Sequence, residues 1–72
     1  MKIFAERLKK AREFEGYTQE KFAEILGIPL NTYRKYEMLS PKWHSEPNQE
    51  LQVKMAEILK VSTDYLLGLA EI

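Results

Sequence analysis

Cysteine is absent from this sequence, and histidine occurs once, at His44. Without cysteine there is no disulfide framework, no thiol nucleophile and no thiolate metal site, and one histidine cannot assemble a zinc centre of the usual kind. No apolar run approaches the roughly 18–20 residues needed to cross a bilayer. The opening Met1-Lys2-Ile3-Phe4-Ala5-Glu6-Arg7 meets charge too early for a secretory signal peptide. There is also no excess of one charge. Eleven basic residues balance eleven acidic ones, which excludes a histone-like polycation but leaves room for a local basic face. No repeat, low-complexity run or linker divides the 72 residues, so a single domain over 1–72 is expected. Such a chain buries only about 60% of its unfolded surface, and its core must be small. With 44% hydrophobic and 31% charged residues it should nonetheless fold. The expectation is a cytoplasmic, reduced-compartment domain that does not use a membrane.

Hydrophobic spacing predicts five helices and no strand. The first runs from about Ile3 to Glu15, with Phe4, Leu8 and Ala11 at i, i+4 and i+7 and Phe14 close to the same face. Gly16 stands where a left-handed residue would end it. Thr18 is placed to cap a second helix, and Tyr17 with Phe22 has the spacing of a hydrophobic staple. That helix carries Phe22, Ala23, Ile25 and Leu26 before Gly27-Ile28-Pro29 breaks it. A short third helix spans Pro29 to about Glu37 and mixes Tyr33 and Tyr36 with Asn31, Arg34 and Lys35. Met38 to Pro47 reads as a loop. Helical spacing resumes from Asn48 to Lys60 through Leu51, Met55, Ile58 and Leu59. Ser62 then caps a last helix that Gly68 ends, with Asp64 in its first turn, where the helix dipole favours a carboxylate.

The segment Thr18-Gln19-Glu20-Lys21-Phe22-Ala23-Glu24-Ile25-Leu26-Gly27-Ile28 resembles the first half of a phage-repressor-type helix-turn-helix, and Pro29 through Glu37 resembles its recognition helix. Arg7 to Arg12 with Gly16 upstream, and Leu51, Met55-Ala56, Leu59 and Val61 to Gly68 downstream, are similar to the flanking helices of the same family. These are the lambda-repressor-like and Cro-like DNA-binding domains of phage and bacterial transcriptional regulators. The resemblance implies an all-α, five-helix lambda-repressor-like bundle, with the helix-turn-helix proper at about 18–37. Elementary packing agrees: Ala23 is small where two helices must cross, Gly27 tolerates positive φ at the turn, and Ile28 can plug the angle between the helices. Three departures stand out. Pro29 replaces the usual Ser or Thr and cannot cap through a hydroxyl. Tyr33 stands where Ile or Val is usual, so its hydroxyl needs solvent or a partner. The connection after Glu37 lacks the customary glycine, is longer, and carries Pro41, Trp43 and His44.

The function implied by the resemblance is sequence-specific binding of double-stranded DNA, as a repressor or Cro-like regulator that acts by operator occupancy. Leu30, Asn31, Arg34 and Lys35 are the candidate base contacts, because the start of a recognition helix enters the major groove. Asn pairs with adenine, Arg or Lys donates to guanine, and Leu can meet a thymine methyl. Thr18, Gln19, Lys21, Lys42 and His44 are the phosphate candidates. Capping is the main role expected of Thr18, and simple solvation is the alternative for Lys42 and His44. Trp43 is expected to pack on the bundle, with stacking on a base as the alternative. Positive charge predominates in residues 1–44 and negative charge in 45–72, which puts the excess where phosphate would lie.

By the same resemblance Arg12 and Glu37 form an internal ion pair. The expected partner is a pseudo-palindromic operator bound by a homodimer, at least on DNA, and Leu69 and Ile72 are expected to help a weak self-contact. No cofactor, metal, small-molecule ligand or catalytic residue is implied. His44 beside Ser45 does not make an oriented triad with the distant Asp64. A different class of function stays open: a helix-turn-helix-fold protein-interaction module, antitoxin-like or anti-repressor, that does not read DNA on its own.

Overall fold

The computed structural model describes residues 2–71. Five helices follow one another, α1 (Lys2–Phe14), α2 (Gln19–Leu26), α3 (Leu30–Tyr36), α4 (Gln49–Leu59) and α5 (Thr63–Leu67), and there is no strand among the described residues. The architecture is therefore the all-α, five-helix bundle expected from the sequence.

Local chemistry accounts for the helix ends. Thr18, Asn48 and Ser62 hold extended backbone and accept, through their side chains, the amides of Lys21, Leu51 and Tyr65, satisfying donors that the helix itself leaves open. Tyr17 stacks on Phe22 with ring centroids 5.7 Å apart, closing the staple that sets the entry angle of α2. Gly27 ends α2 at φ 74°, a left-handed conformation that lets the chain double back into α3. Gly68 ends α5 at φ 83°, and a Cβ there would lie 3.0 Å from the Ile3 side chain. The last residue before α5's approach is capped less easily: Lys60 ends α4 at φ 61° without being glycine.

Each helix turns its apolar stripe to one core. α1 packs on α5, α2 on α3, and α4 on both α2 and α5. Phe4, Leu8, Phe22, Tyr33, Met55, Leu59 and Leu66 are the large side chains at the centre, each contributing about 1.5–3 kcal/mol by leaving water. Small residues allow the close approaches, with Ala5 and Ala23 buried beside them.

Several boundaries and placements differ from the sequence reading. α3 begins at Leu30, and Pro29 is its cap residue, at φ −63° and ψ 145° with no side-chain hydrogen bond. Phe14, expected near the core face, is 88% exposed. It is the last residue of α1 and lies on the rim of a shallow cleft floored by Ala11, Leu59 and Val61, beyond the reach of the core. Trp43, expected against the bundle, is 57% exposed. The loop folds on itself instead: the amides of Trp43 and His44 both donate to the Ser40 carbonyl, and the Ser45 amide reaches back to the Lys35 carbonyl. That leaves the indole outside with Lys42 Nζ 5.1 Å from its ring centroid. Leu69, expected to meet a second copy, is exposed in the single chain, which leaves it open to such a contact, and Ile72 lies outside the described residues.

Candidate nucleic-acid interface

α3 has seven residues and no side-chain cap, too short to hold its shape alone. Its position is set from below. Tyr33 is fully buried, edge-on to Phe22 at 5.4 Å and to Tyr36 at 6.2 Å, an arrangement in which ring edges meet ring faces favourably. The opposite side of the same helix is solvated. Asn31, Arg34 and Lys35 are exposed, and their i, i+3, i+4 spacing puts them on one face. Leu30 is only half exposed because it packs partly against the core, so its contribution to that face is smaller than its neighbours'.

At the end of α3 the chain buries two opposite charges. Arg12 and Glu37 are 6% and 8% exposed. Arg12 Nε donates to Glu37 Oε2 at 2.7 Å and Nη2 donates to Oε1 at 3.2 Å, the two-pronged geometry that suits a guanidinium to a carboxylate. Arg12 lies four residues after Leu8 and eight after Phe4, so the helical stripe itself carries the guanidinium inward. Its Nη1 donates to the Tyr17 carbonyl at 2.7 Å, tying α1 to the approach of α2. The Tyr33 hydroxyl donates to Glu37 Oε2, and Gln19 Nε2 donates to Oε1 at 3.0 Å. Each carboxylate oxygen thus accepts two hydrogen bonds, which is what a buried charge requires if its desolvation is to be offset.

The ionisation of this cluster follows from its surroundings. Burial works against the Arg12 charge, but the hydrogen bond and charge of Glu37 outweigh it and push the guanidinium above its ordinary value. Burial, reinforced by the hydrogen bond to Glu37, pushes the Tyr33 phenol far upward. The phenol therefore stays protonated and acts as the donor.

The sequence-predicted phosphate residues fall into different surroundings. The Thr18 hydroxyl accepts from the Lys21 amide at 3.0 Å, so its first role is the cap, with its own proton left for another acceptor. The Gln19 amide nitrogen spends one hydrogen on Glu37 and keeps a second. Lys21 is exposed and 3.2 Å from Glu24, a surface pair of small consequence. Lys42 is exposed beside Trp43. His44 is turned inward: its side chain is 11% exposed, Nδ1 lies 3.0 Å from the Met38 carbonyl, and Nε2 is buried. With Nε2 buried and Nδ1 set against the Met38 carbonyl, the ring is engaged within the loop rather than turned outward as a phosphate contact would be.

A shallow groove at the start of α2 is lined by Lys9, Arg12, Thr18, Gln19, Glu20 and Arg34. Lys9 was not singled out from the sequence. Its signal was the basic run Lys9-Lys10, but only the folded chain shows Lys9 lining the same groove as Thr18 and Gln19. Lys9 and Arg34 bring positive charge beside the helix-start amides. Arg12 is held by Glu37 and the Glu20 carboxylate shares the lining, so the balance favours an anion only modestly. Among the described residues no three His, Cys, Asp or Glu side chains converge to hold a metal, and no helix is long and apolar enough to cross a membrane.

Two crossed helices, a glycine turn and a polar outer face define the class, and the chain belongs to the helix-turn-helix family, whose model matches residues 8–66. This is a family of transcriptional regulators rather than of enzymes. The chain is 45% identical over 65 residues to the SPbeta prophage-derived uncharacterized HTH-type transcriptional regulator YonR of Bacillus subtilis (strain 168), an alignment covering 90% of this chain and 56% of that protein. It is 41% identical over 66 residues to the HTH-type transcriptional regulator ImmR of the same organism, covering 92% of this chain and 49% of the relative. Similarity extends to the cryptic phage CTXphi transcriptional repressor RstR of Vibrio cholerae serotype O1 (strain ATCC 39315 / El Tor Inaba N16961), 40% identical over 68 residues, covering 94% of this chain and 56% of that one. The chain spans about half the length of these relatives. No solved structure matches it.

Proposed function

We propose that the chain binds double-stranded DNA in a sequence-specific way and regulates transcription, as a repressor or Cro-like protein that occupies an operator. The observation that carries this reading is the single exposed face formed by Asn31, Arg34 and Lys35 on a helix whose other side is fixed by Tyr33 and Glu37. Asn31 offers the bidentate amide that suits adenine, and Arg34 and Lys35 offer donors for guanine. Lys9, Gln19 and the amides opening α2 hold a phosphate of the backbone, with Lys21 and Lys42 as outlying cations. The relatives' names as transcriptional regulators, and one as a repressor, support the same reading.

The chain acts as a homodimer on a pseudo-palindromic operator, with half-sites about one helical turn apart, roughly 34–36 Å, and it resides with the nucleoid in the cytoplasm. No chemical step is involved; occupancy of the operator blocks the promoter. A gel-shift titration over random genomic fragments at two salt concentrations tests the reading. Retardation that weakens steeply as salt rises is expected, since each phosphate contact releases counterions. No retardation at low salt would overturn it and favour a protein partner for this surface.

A further inference from the structure

The Tyr33 hydroxyl is the one donor at Glu37 that comes from α3 itself. Arg12 reaches the carboxylate from α1 and Gln19 from α2. The phenol ring is fully buried and already satisfied by its packing on Phe22 and Tyr36, so a phenylalanine would fill the same space. The hydroxyl adds direction. Glu37 is the cap residue that follows α3, and Tyr33 stands one turn before it, so their hydrogen bond fixes the carboxylate's rotamer against the helix that bears both. Gln19, the first residue of α2, binds the other oxygen of that carboxylate. A rotation of α3 about its axis carries Tyr33 and Glu37 together and pulls the carboxylate from Gln19 and Arg12. The rotamer that Tyr33 holds therefore decides how firmly those bonds resist the turn, and Pro29 at the other end adds no side-chain cap.

Resting on the DNA reading above, we propose that Tyr33 is a positioning residue for sequence discrimination: its hydroxyl, through Glu37 and Gln19, locks the rotation of α3 relative to the phosphate-holding start of α2. Base contacts depend on that rotation, because bidentate pairing to a base edge tolerates little misalignment. Phosphate contacts from Lys9 and the α2 amides do not depend on it. Loss of the hydroxyl therefore lowers selective binding more than general binding.

The test is Tyr33→Phe in the full chain, with circular dichroism establishing that it is folded at the assay temperature. The probes are the duplex most enriched from a randomised library by the wild-type protein and a scrambled duplex of equal composition, titrated by fluorescence anisotropy at one salt concentration. Expected is a fall of about tenfold in affinity for the enriched duplex, with affinity for the scrambled duplex within about twofold of wild type. Equal losses on both duplexes, or no loss on either, would overturn the proposal. A second arm needs no DNA: amide hydrogen exchange over residues 30–37, expected to quicken in Tyr33→Phe while α4 keeps its protection. If the wild-type chain enriches no duplex, the DNA reading fails, and the exchange arm decides the positioning role alone. Unchanged protection of α3 would then end it.

Discussion

Arg7 and Arg12 stand five positions apart on α1 and face different neighbours. Arg12 is buried, and its charge is answered by another buried charge that accepts from three elements of the fold. Arg7 lies at the other end of the bundle. Its Nη1 donates to the carbonyls of Tyr65 and Ala70 at 2.7 and 2.6 Å, and its guanidinium carbon sits 4.5 Å from the Tyr65 ring centroid. Its acidic neighbour Glu71, at 3.6 Å, is 93% exposed. Both arginines fasten distant parts of the chain to α1. Arg12 fastens α3, whose exposed face is the one proposed to read bases, by ionic bonds shielded from water. Arg7 fastens the end of α5, by carbonyl bonds and an aromatic face. The difference teaches where this fold is held most rigidly: a buried, directional ionic joint sits beneath α3, and a half-open latch suffices at the end of α5.

The sharpest way to break that comparison is to remove charges at the Arg12 end. Arg12→Met or Glu37→Gln is expected to destabilise the chain by about 3–5 kcal/mol, because each strands a buried polar group. Urea unfolding of the two single variants and the double should give a large favourable coupling, and a coupling near zero would reduce the pair to two independent side chains. At the other end, Arg7→Met is expected to cost less, about 1–2 kcal/mol, since the carbonyls it leaves can take water in its place. A cost equal to that of Arg12→Met in the same urea series would erase the distinction.

A third contrast comes from pH. The Tyr33 phenol is raised above its ordinary value of 10.0 by burial and by Glu37. Its contribution is complete below about pH 10 and is lost as pH rises further, because the unfolded chain releases the proton that the folded chain retains. Unfolding free energy should therefore fall above pH 10 by up to about 1.4 kcal/mol per unit more in wild type than in Tyr33→Phe. Parallel pH profiles for the two proteins would show that the phenol is not held in this way. The smallest effect is expected at Glu71: Glu71→Gln should change stability by no more than about 0.5 kcal/mol, since an ion pair with so exposed a partner is screened.

Much of this arrangement could be read before any coordinates, and the parts that could not have a common cause. Thr18, Ser62 and Gly27 declare helix ends by their own chemistry, and Arg12 and Glu37 take the positions that the resembled family uses for an ion pair. Tyr33 was legible as a residue whose hydroxyl needed a partner, and its i, i+4 spacing to Glu37 was there to be noticed. Gln19 was read only as a phosphate contact, because its bond to Glu37 depends on how α2 crosses α3. Arg7 was invisible in its latch role, since backbone carbonyls have no sequence signature. Phe14 and Trp43 were misplaced for a related reason: an apolar side chain at a helix end or in a loop is buried only if something lies opposite. Lys60 at positive φ is a third case, where the backbone hydrogen bonds that end α4 hold a lysine in a conformation its own side chain disfavours.

The central claim is that the exposed face of α3 reads base sequence. It is tested most directly by sequencing the duplexes retained from a randomised library by the wild-type chain and, in parallel, by Lys35→Ala. The account predicts that wild type enriches a motif of two related half-sites. Lys35→Ala should keep part of that motif while losing preference at particular base pairs, by about 1–3 kcal/mol each. An identical motif from both proteins, or no motif from wild type, would contradict it.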